Sequence, residues 1–116
     1  MDETLIYHPV TRLDALQPDY PLRVRVGEHD IAIYLFDGEV YATDNICTHA
    51  YASLADGLIE GDTVECPLHG ACFNFRTGQA LTEPATVDLR TYPVLVEEGS
   101  VMIGLPARAD GPRAHP

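Results

Sequence analysis

The sequence predicts an all-β domain whose base is an antiparallel β-sandwich, with a smaller portion inserted into it. Short apolar runs are broken about every eight to twelve residues by turn residues, which is the spacing of short strands. No long helical period competes with these runs. The predicted strands lie at 5–10, 22–26, 31–36, 40–43, 63–65, 92–96 and 101–104.

Turn residues predict where the chain reverses direction between these strands. Asp37-Gly38 and Glu98-Gly99 are each typical of a two-residue hairpin turn, since glycine readily takes the positive φ that such turns require. Thr77-Gly78 predicts a further turn. Single turns of helix are expected at 13–16 and 51–54.

The length of 116 residues predicts one domain that buries its own core without help from disulfides. We expect this domain at 1–105, with the first and last strands forming the sandwich and the inserted portion at about 43–86. Residues 106–116 are rich in Pro, Ala, Gly and Arg, which predicts a mobile C-terminal tail.

The charge balance bears on the kinds of partner. With 18 acidic and 7 basic residues the formal net charge is −11, which disfavours nucleic acid and anionic membrane surfaces. No apolar stretch approaches the roughly 20 residues needed to cross a bilayer, and the N-terminal residues include no basic region. We therefore expect a soluble, cytoplasmic protein. Its negative charge either steers it toward basic partner surfaces or only keeps it in solution.

Two short ligand-type motifs are the most informative feature of the chain. Cys47 and His49 have one residue between them, Cys66 and His69 have two, and sixteen residues separate the motifs. Each motif offers one thiolate and one imidazole, so two loops could hold one inorganic cluster between them. A structural zinc site is an alternative, although zinc sites usually pair like ligands at longer gaps. Two core cysteines with two unrelated surface histidines are the remaining alternative.

The residues around these motifs carry a family resemblance. Cys47-Thr48-His49 and Cys66-Pro67-Leu68-His69-Gly70 resemble the two ligand boxes of Rieske iron-sulfur proteins, and the similarity to small Rieske ferredoxins extends over residues 36–42 and 73–81. It covers roughly residues 20 to 104. The resemblance implies a Rieske iron-sulfur domain with one 2Fe-2S cluster, whose ligands are Cys47, His49, Cys66 and His69.

Within this family the chain is most similar to ferredoxin components of multicomponent aromatic-ring-hydroxylating dioxygenases. Respiratory Rieske proteins close a disulfide over the cluster, but Ala52 and Leu68 occupy the equivalent positions here. Ala71 and Phe73 stand where that branch has hydroxyl donors to the cluster sulfurs. Such donors stabilise the reduced cluster, so we predict a potential near the low end of the Rieske range of about −150 to +300 mV.

The resemblance implies a carrier and not an enzyme: single electrons would pass from a flavoprotein ferredoxin reductase to a terminal dioxygenase. The remaining histidines, His8, His29 and His115, are not placed for the two-His-one-carboxylate iron site of an oxygenase. We expect a monomer. Alternatives are a Rieske-like accessory subunit of another reductase or oxygenase, and a zinc-bound interaction module without redox chemistry.

Several further residues are assigned by analogy with the family. His49 and His69 would be the electron exit at an exposed cluster tip, with Tyr51 as a possible contact aromatic. Pro84, in the segment 81–85, resembles the proline-bearing loop that covers the cluster. The third cysteine, Cys72, is expected to be a small buried side chain, and three cysteines with two committed indicate a reducing compartment.

Overall fold

The computed structural model describes residues 4–48, 52–68, 70–82 and 87–107. Strands dominate this part of the chain, together with two short 3-10 helices at Leu13–Ala15 and Leu54–Asp56. In chain order the strands are β1 (Leu5–Arg12), β2 (Leu22–Val26), β3 (His29–Phe36), β4 (Glu39–Asp44), β5 (Leu58–Glu60), β6 (Thr63–Glu65), β7 (Cys72–Asn74), β8 (Val94–Glu97) and β9 (Ser100–Pro106).

The strands form three antiparallel sheets of three strands each. The outer sheet has the order β1-β9-β8 and joins the two ends of the described chain, while the central sheet has the order β2-β3-β4. The insertion sheet, β5-β6-β7, lies wholly within the segment that the sequence predicted to be inserted. The predicted all-β fold with a sandwich base and an insertion is therefore confirmed.

Strand β3 is apolar on both faces because it lies between two cores. Ile31 and Ile33 pack on one side with Val101, Ile103 and other residues of the outer sheet. Residues 32 and 34 point the opposite way, toward the insertion, because side chains alternate along a strand. The layers therefore run from the outer sheet through the central sheet to the insertion.

The predicted hairpin turns are present. Asp37 and Gly38 both have positive φ, 54° and 80°, and connect β3 to β4. Glu98 and Gly99 have φ of 51° and 82° and connect β8 to β9 in the same way. These are the angles of a type I′ turn, whose twist matches that of the flanking strands.

The sequence missed two strands and displaced a third. β5 and β7 are only three residues long, too short for a clear alternation of apolar and polar residues. β8 begins at Val94 instead of residue 92, because the amide of Tyr92 donates to Ala42 O in the central sheet. The helical turn expected at 51–54 lies at Leu54–Asp56, and Tyr51 lies outside the described residues.

The C-terminal end of the described chain extends beyond the predicted domain limit. β9 continues to Pro106, and the amide of Ala107 donates to Thr4 O at 2.9 Å. Backbone pairing thus reaches residue 107, and residues 108–116 of the predicted tail lie outside the described part.

A substitution at Gly78 tests how closely the turn after β7 packs against residue 89. The φ of Gly78 is +85°, and a Cβ there would lie 2.3 Å from Leu89 O. We expect Gly78→Ala to lower the free energy of unfolding by more than the ~1–2 kcal/mol that a left-handed backbone alone costs, measured by chemical denaturation.

Gly38→Ala is the matched control, because Gly38 has a similar φ of +80° with nothing within 4 Å of its Cβ position. It should show the backbone cost alone. Equal losses of unfolding free energy in the two variants would contradict the close approach of Gly78 to the carbonyl oxygen of Leu89.

Candidate metal centre

The first ligand segment follows β4 and is closed at its base by backbone bonds. Cys47 is buried, and its amide donates to Ala52 O at 3.0 Å. Ile46 and Ser53 form an antiparallel bridge just below. Residues 47 and 52 are therefore held side by side at the base of this loop.

The second ligand segment connects β6 to β7 in a tighter turn. The Cys66 amide donates to Ala71 O at 2.7 Å, and the Gly70 amide donates back to Cys66 O at 3.1 Å. Gly70 has a φ of +74°, which glycine adopts without strain. Cys66 is buried at the start of this turn.

One apolar core holds both cysteines. Cys47 and Cys66 belong to the same buried cluster, which also contains Ala71 and Phe73. The two segments approach closely where Gly57 meets the carbonyl of Glu65, since a Cβ on Gly57 would lie 2.1 Å from that oxygen. Both cysteines of the sequence-predicted loops therefore lie in one buried core.

Asn45 is a fully buried polar residue at the base of the first segment. Its Nδ2 donates to Ser53 Oγ at 2.9 Å, and its Oδ1 accepts the Ala55 amide at 2.9 Å. Its backbone is also bonded on both sides, to Asp30 O and from the Leu54 amide. Through these hydrogen bonds the Asn45 side chain connects the base of the loop that carries Cys47 to the 3-10 helix that follows it.

A third segment lies beside the two ligand loops. Thr48 Oγ1 donates to Val87 O at 2.7 Å, which fixes residue 87 next to the first loop. The amide of Leu81 donates to Cys72 O, and Thr82 Oγ1 accepts the Cys72 amide. Residues 81, 82 and 87 therefore flank the predicted cluster loop, whereas Pro84 lies outside the described residues.

His49 and His69, the two predicted imidazole ligands, also lie outside the described residues. Among the residues that are described, no group of three or more His, Cys, Asp or Glu converges as a metal site. Their ligand roles remain predictions. Of the other histidines, His29 presents its ring edge-on to Tyr92, and His115 lies outside the described part.

Cys72 does not match its predicted burial. It is only partly buried, and its Sγ lies 3.6 Å from Gly70 O. Alternation along β7 explains the difference, because Phe73 takes the inward position and residue 72 must then point outward. The expectation of a small buried side chain was wrong.

The chemistry of the donors fits a metal cluster. A cysteine that binds iron as a thiolate has its charge neutralised by the metal, so burial of both cysteines in an apolar core is compatible with a cluster between them. Ala71 and Phe73 are fully buried in the same core, and neither side chain has a hydroxyl to donate to a cluster sulfur.

Sequence reasoning missed three supporting features: the Asn45 bonds, the Thr48 contact and the close approach at Gly57. A polar residue two positions before a ligand cysteine was the only available signal for the first. The Thr48 contact joins residues 39 positions apart, and the Gly57 approach depends on the pairing of β5 with β6, so no local pattern could reveal either.

A small all-β domain with one buried cysteine on each of two adjoining loops has an arrangement that can hold a metal cluster between the loops. The family model of the Rieske [2Fe-2S] domain matches residues 7–93 of this chain, a range that includes all four predicted ligand positions. The chain belongs to the Rieske family, whose cofactor is one 2Fe-2S cluster.

Relatives agree with this assignment in sequence and in structure. The ferredoxin component of the naphthalene 1,2-dioxygenase system of Pseudomonas putida is 48% identical over 92 residues, covering 79% of this chain and 88% of the relative. A ferredoxin of Sphingomonas yanoikuyae B1 has a TM-score of 0.84 at 37% identity, covering 87% of this chain and all of that one.

A structure of the complex of reduced oxygenase and oxidized ferredoxin in carbazole 1,9a-dioxygenase contains a further similar chain. Its TM-score is 0.78 at 42% identity, covering 82% of this chain and 98% of that one. Within the described residues, no helix has the length and apolar character required to span a membrane.

The Asn45 bonds predict a specific effect on cluster retention. Asn45→Ala removes both hydrogen bonds that the fully buried Asn45 side chain makes with Ser53 and Ala55, at a cost of about 0.5–1.5 kcal/mol for each bond lost. We expect faster loss of visible absorbance from the iron-loaded protein under chelator challenge.

Asn74→Ala is the control for this experiment. Asn74 also bonds through both side-chain ends, to the amides of Arg76 and Thr77 and to Asp62, but it is only partly buried. Water can replace those bonds, so cluster loss should stay near the unmodified rate. Equal rates for both variants would count against a positioning role for Asn45.

Proposed function

We propose that this chain is a Rieske ferredoxin that carries single electrons to a terminal aromatic-ring-hydroxylating dioxygenase. The observation that carries the proposal is the burial of Cys47 and Cys66, on separate loops, in one apolar core. Support also comes from relatives named as ferredoxin components of such systems. In this role Cys47, His49, Cys66 and His69 are the cluster ligands.

The electron source in this proposal is a flavoprotein ferredoxin reductase, and the carrying unit is a single chain with one cluster in the cytoplasm. The working domain extends through residue 107, where the backbone pairing ends, and its cluster-binding portion lies at about 43–86. A carrier of this kind needs no substrate pocket of its own, since the oxygenase performs the oxygen chemistry.

A bound cluster would supply the one-electron couple. The chain's residues provide two conditions for its reversible use. The apolar core around both cysteines excludes water from the thiolate side. The hydrogen-bonded bases of the two loops hold the cysteines in place, so that little reorganisation accompanies the change of charge.

Exposed apolar residues near the loops form a small contact surface. Leu68 lies in the second ligand loop, Val87 accepts the bond from Thr48, and Leu81 bonds to Cys72 O. All three are exposed. Such a limited apolar surface suits a partner that must dock and leave, because transient redox encounters bury less than about 1,200 Å².

Spectroscopy of the reduced protein tests the proposal first. Mixed Cys and His ligation lowers the average g value below that of all-thiolate 2Fe-2S clusters. We expect electron paramagnetic resonance of the dithionite-reduced protein to show the Rieske signal, and His49→Cys to move it toward the all-thiolate type with a lower midpoint potential.

His29→Cys is the control, since that ring packs against Tyr92 and is not a proposed ligand. It should leave the signal unchanged. An unshifted His49→Cys spectrum would remove His49 from the ligand set, and a silent sample containing stoichiometric zinc would overturn the redox role. The reduced protein should also lose its electron to a purified aromatic-ring dioxygenase in single turnover.

The missing hydroxyl at position 71 yields a further prediction. A serine there would be buried beside Cys66 and could donate to a cluster sulfur, which stabilises the reduced state more than the oxidised state. A differential gain of about 1 kcal/mol raises a one-electron potential by roughly 40 mV. We expect Ala71→Ser to show this rise in a potentiometric titration.

Ala52→Ser serves as the comparison, because Ala52 is buried in the same core but bonds the first loop through its backbone carbonyl. A rise confined to position 71 supports a direct hydrogen bond. Equal shifts in both variants would indicate a general effect of polarity, and no rise at position 71 would contradict the hydrogen-bond argument.

A further inference from the structure

Residues 87–93 form a crossing segment that leads from the insertion to β8, and two hydrogen bonds hold its beginning. The Ala80 amide donates to Asp88 Oδ1 at 2.9 Å, and the Leu89 amide donates to Gly78 O at 2.7 Å. Leu89 is also buried in the core that contains the ligand cysteines. The start of the crossing segment is therefore fixed to the part of the chain that follows β7.

The far end of the crossing segment is fixed to the central sheet. The Tyr92 amide donates to Ala42 O at 3.0 Å, and the Tyr92 hydroxyl donates to Asp44 Oδ1. Burial, together with the neighbouring Asp44 carboxylate, raises the pKa of Tyr92, so its hydroxyl stays protonated and remains a donor. Tyr92 also packs in the core of the outer sheet. The crossing segment is thus anchored in both cores.

Thr48 binds the exposed start of this segment. Thr48 Oγ1 donates to Val87 O at 2.7 Å, a bond between residues 39 positions apart. In the sequence Thr48 lies between two predicted ligands, Cys47 and His49. The Cys47 amide is already held by its bond to Ala52 O. The Thr48 hydroxyl is therefore the next fixed point along the chain, on the side of His49.

We propose that Thr48 is a positioning residue for His49, with the crossing segment as its fixed reference. The inference rests on the proposed function, because it concerns a ligand of the cluster. Threonine is branched at Cβ and has few χ1 rotamers, so a bound Oγ1 also restricts the backbone at residue 48. Consecutive Cα atoms are only about 3.8 Å apart. Fixing residue 48 therefore confines the point from which the next side chain extends.

The hydroxyl of Thr48 acts through position and not as a donor to the cluster. A hydroxyl has one proton, and the Thr48 proton is directed to Val87 O. It is then not available to a cluster sulfur. Hydrogen bonds around a metal site commonly fix the orientation of the ligands, and this bond does so through the backbone beside the ligand.

The exposure of this bond separates positioning from folding. Thr48 and Val87 are both exposed, so water can replace the bond when the hydroxyl is removed. Thr48→Val removes the hydroxyl and keeps the branched shape of the side chain. We expect this variant to resist chemical denaturation as the unmodified chain does, while its first ligand loop loses a fixed point.

Electron paramagnetic resonance of the dithionite-reduced, cluster-loaded chain tests the proposal. Freezing traps the spread of ligand geometries, and a wider spread broadens the lines. We expect Thr48→Val to broaden the Rieske signal and to speed the loss of visible absorbance under chelator challenge about fivefold, the factor that one typical net hydrogen bond represents. Thr48→Ser keeps the donor and should return both the line width and the rate to near the unmodified values.

Thr77→Val is the matched control for this substitution. The Thr77 hydroxyl is also exposed and also bonds to the backbone, accepting the Gln79 amide at 3.2 Å, but it lies in the turn after β7. The line width and the rate should not change. Equal broadening in Thr77→Val would count against the proposal, because it would show a general response to the loss of an exposed hydroxyl.

Changes at Asp88 test the crossing segment as the reference. Asp88→Ala removes the bond from the Ala80 amide next to Val87, whereas Asp88→Asn keeps an oxygen acceptor. Only Asp88→Ala should broaden the signal, and it should add little in a Thr48→Val background, where the same link is already broken. Full additivity of the two effects would contradict a role for the crossing segment.

The outcomes distinguish this inference from the proposed function. An unmodified chain without a Rieske signal would overturn both. A normal signal in the unmodified chain, with the same line width and chelator sensitivity in Thr48→Val, would overturn the positioning role alone. Equal defects in Thr48→Val and Thr48→Ser would also overturn it, since the hydroxyl would then not be the group responsible.

Discussion

The burial of β3 on both faces is the constraint on which the rest of the structure depends. The four residues 31–34 are almost completely buried, and they alternate between the core of the outer sheet and the core that contains the ligand cysteines. A shift of one residue would exchange the two sets. Because both sets are apolar, hydrophobicity alone cannot fix the register, and other contacts must do so.

A buried pair of hydroxyl groups provides one such contact. Tyr34 donates to Thr43 Oγ1 at 2.9 Å, and Thr43 in turn donates to Asp44 O. Burial raises the pKa of Tyr34, so that its hydroxyl stays protonated and can donate. The pair fixes β3 against β4 just before the chain enters the first ligand loop. The position of Cys47 is therefore linked to the strand register.

The sequence predicted those parts of the fold and site that local patterns encode. The Asp37-Gly38 turn and the apolar run of β3 are visible in the chain alone, and so is the spacing of the Cys and His motifs. β5 was missed because Leu58, its first residue, is exposed and the strand has no apolar alternation. The outward position of Cys72 follows from its pairing with Glu65, which local sequence does not specify.

The support of the first ligand loop depends on contacts that no local pattern encodes. The Asn45 amide is meaningful only once Ser53 and Ala55 return beside it, and Gly57 is required only because the Glu65 carbonyl lies against it. Both contacts join segments separated by several residues or by a whole loop. Their effect is to fix the described base of the first ligand loop on both sides of Cys47.

The two exposed apolar surfaces differ in ways that suit different partners. Leu68, Leu81 and Val87 stand on loops around the ligand segments, where contact is small. The outward face of the outer sheet is built from paired strands, with its side chains held in register. A chain with a net charge of −11 repels its own copies over long range, which favours partners with a less negative surface. The outer sheet lies on the opposite side of β3 from the ligand cysteines, so its outward face is separate from the surface around the ligand loops.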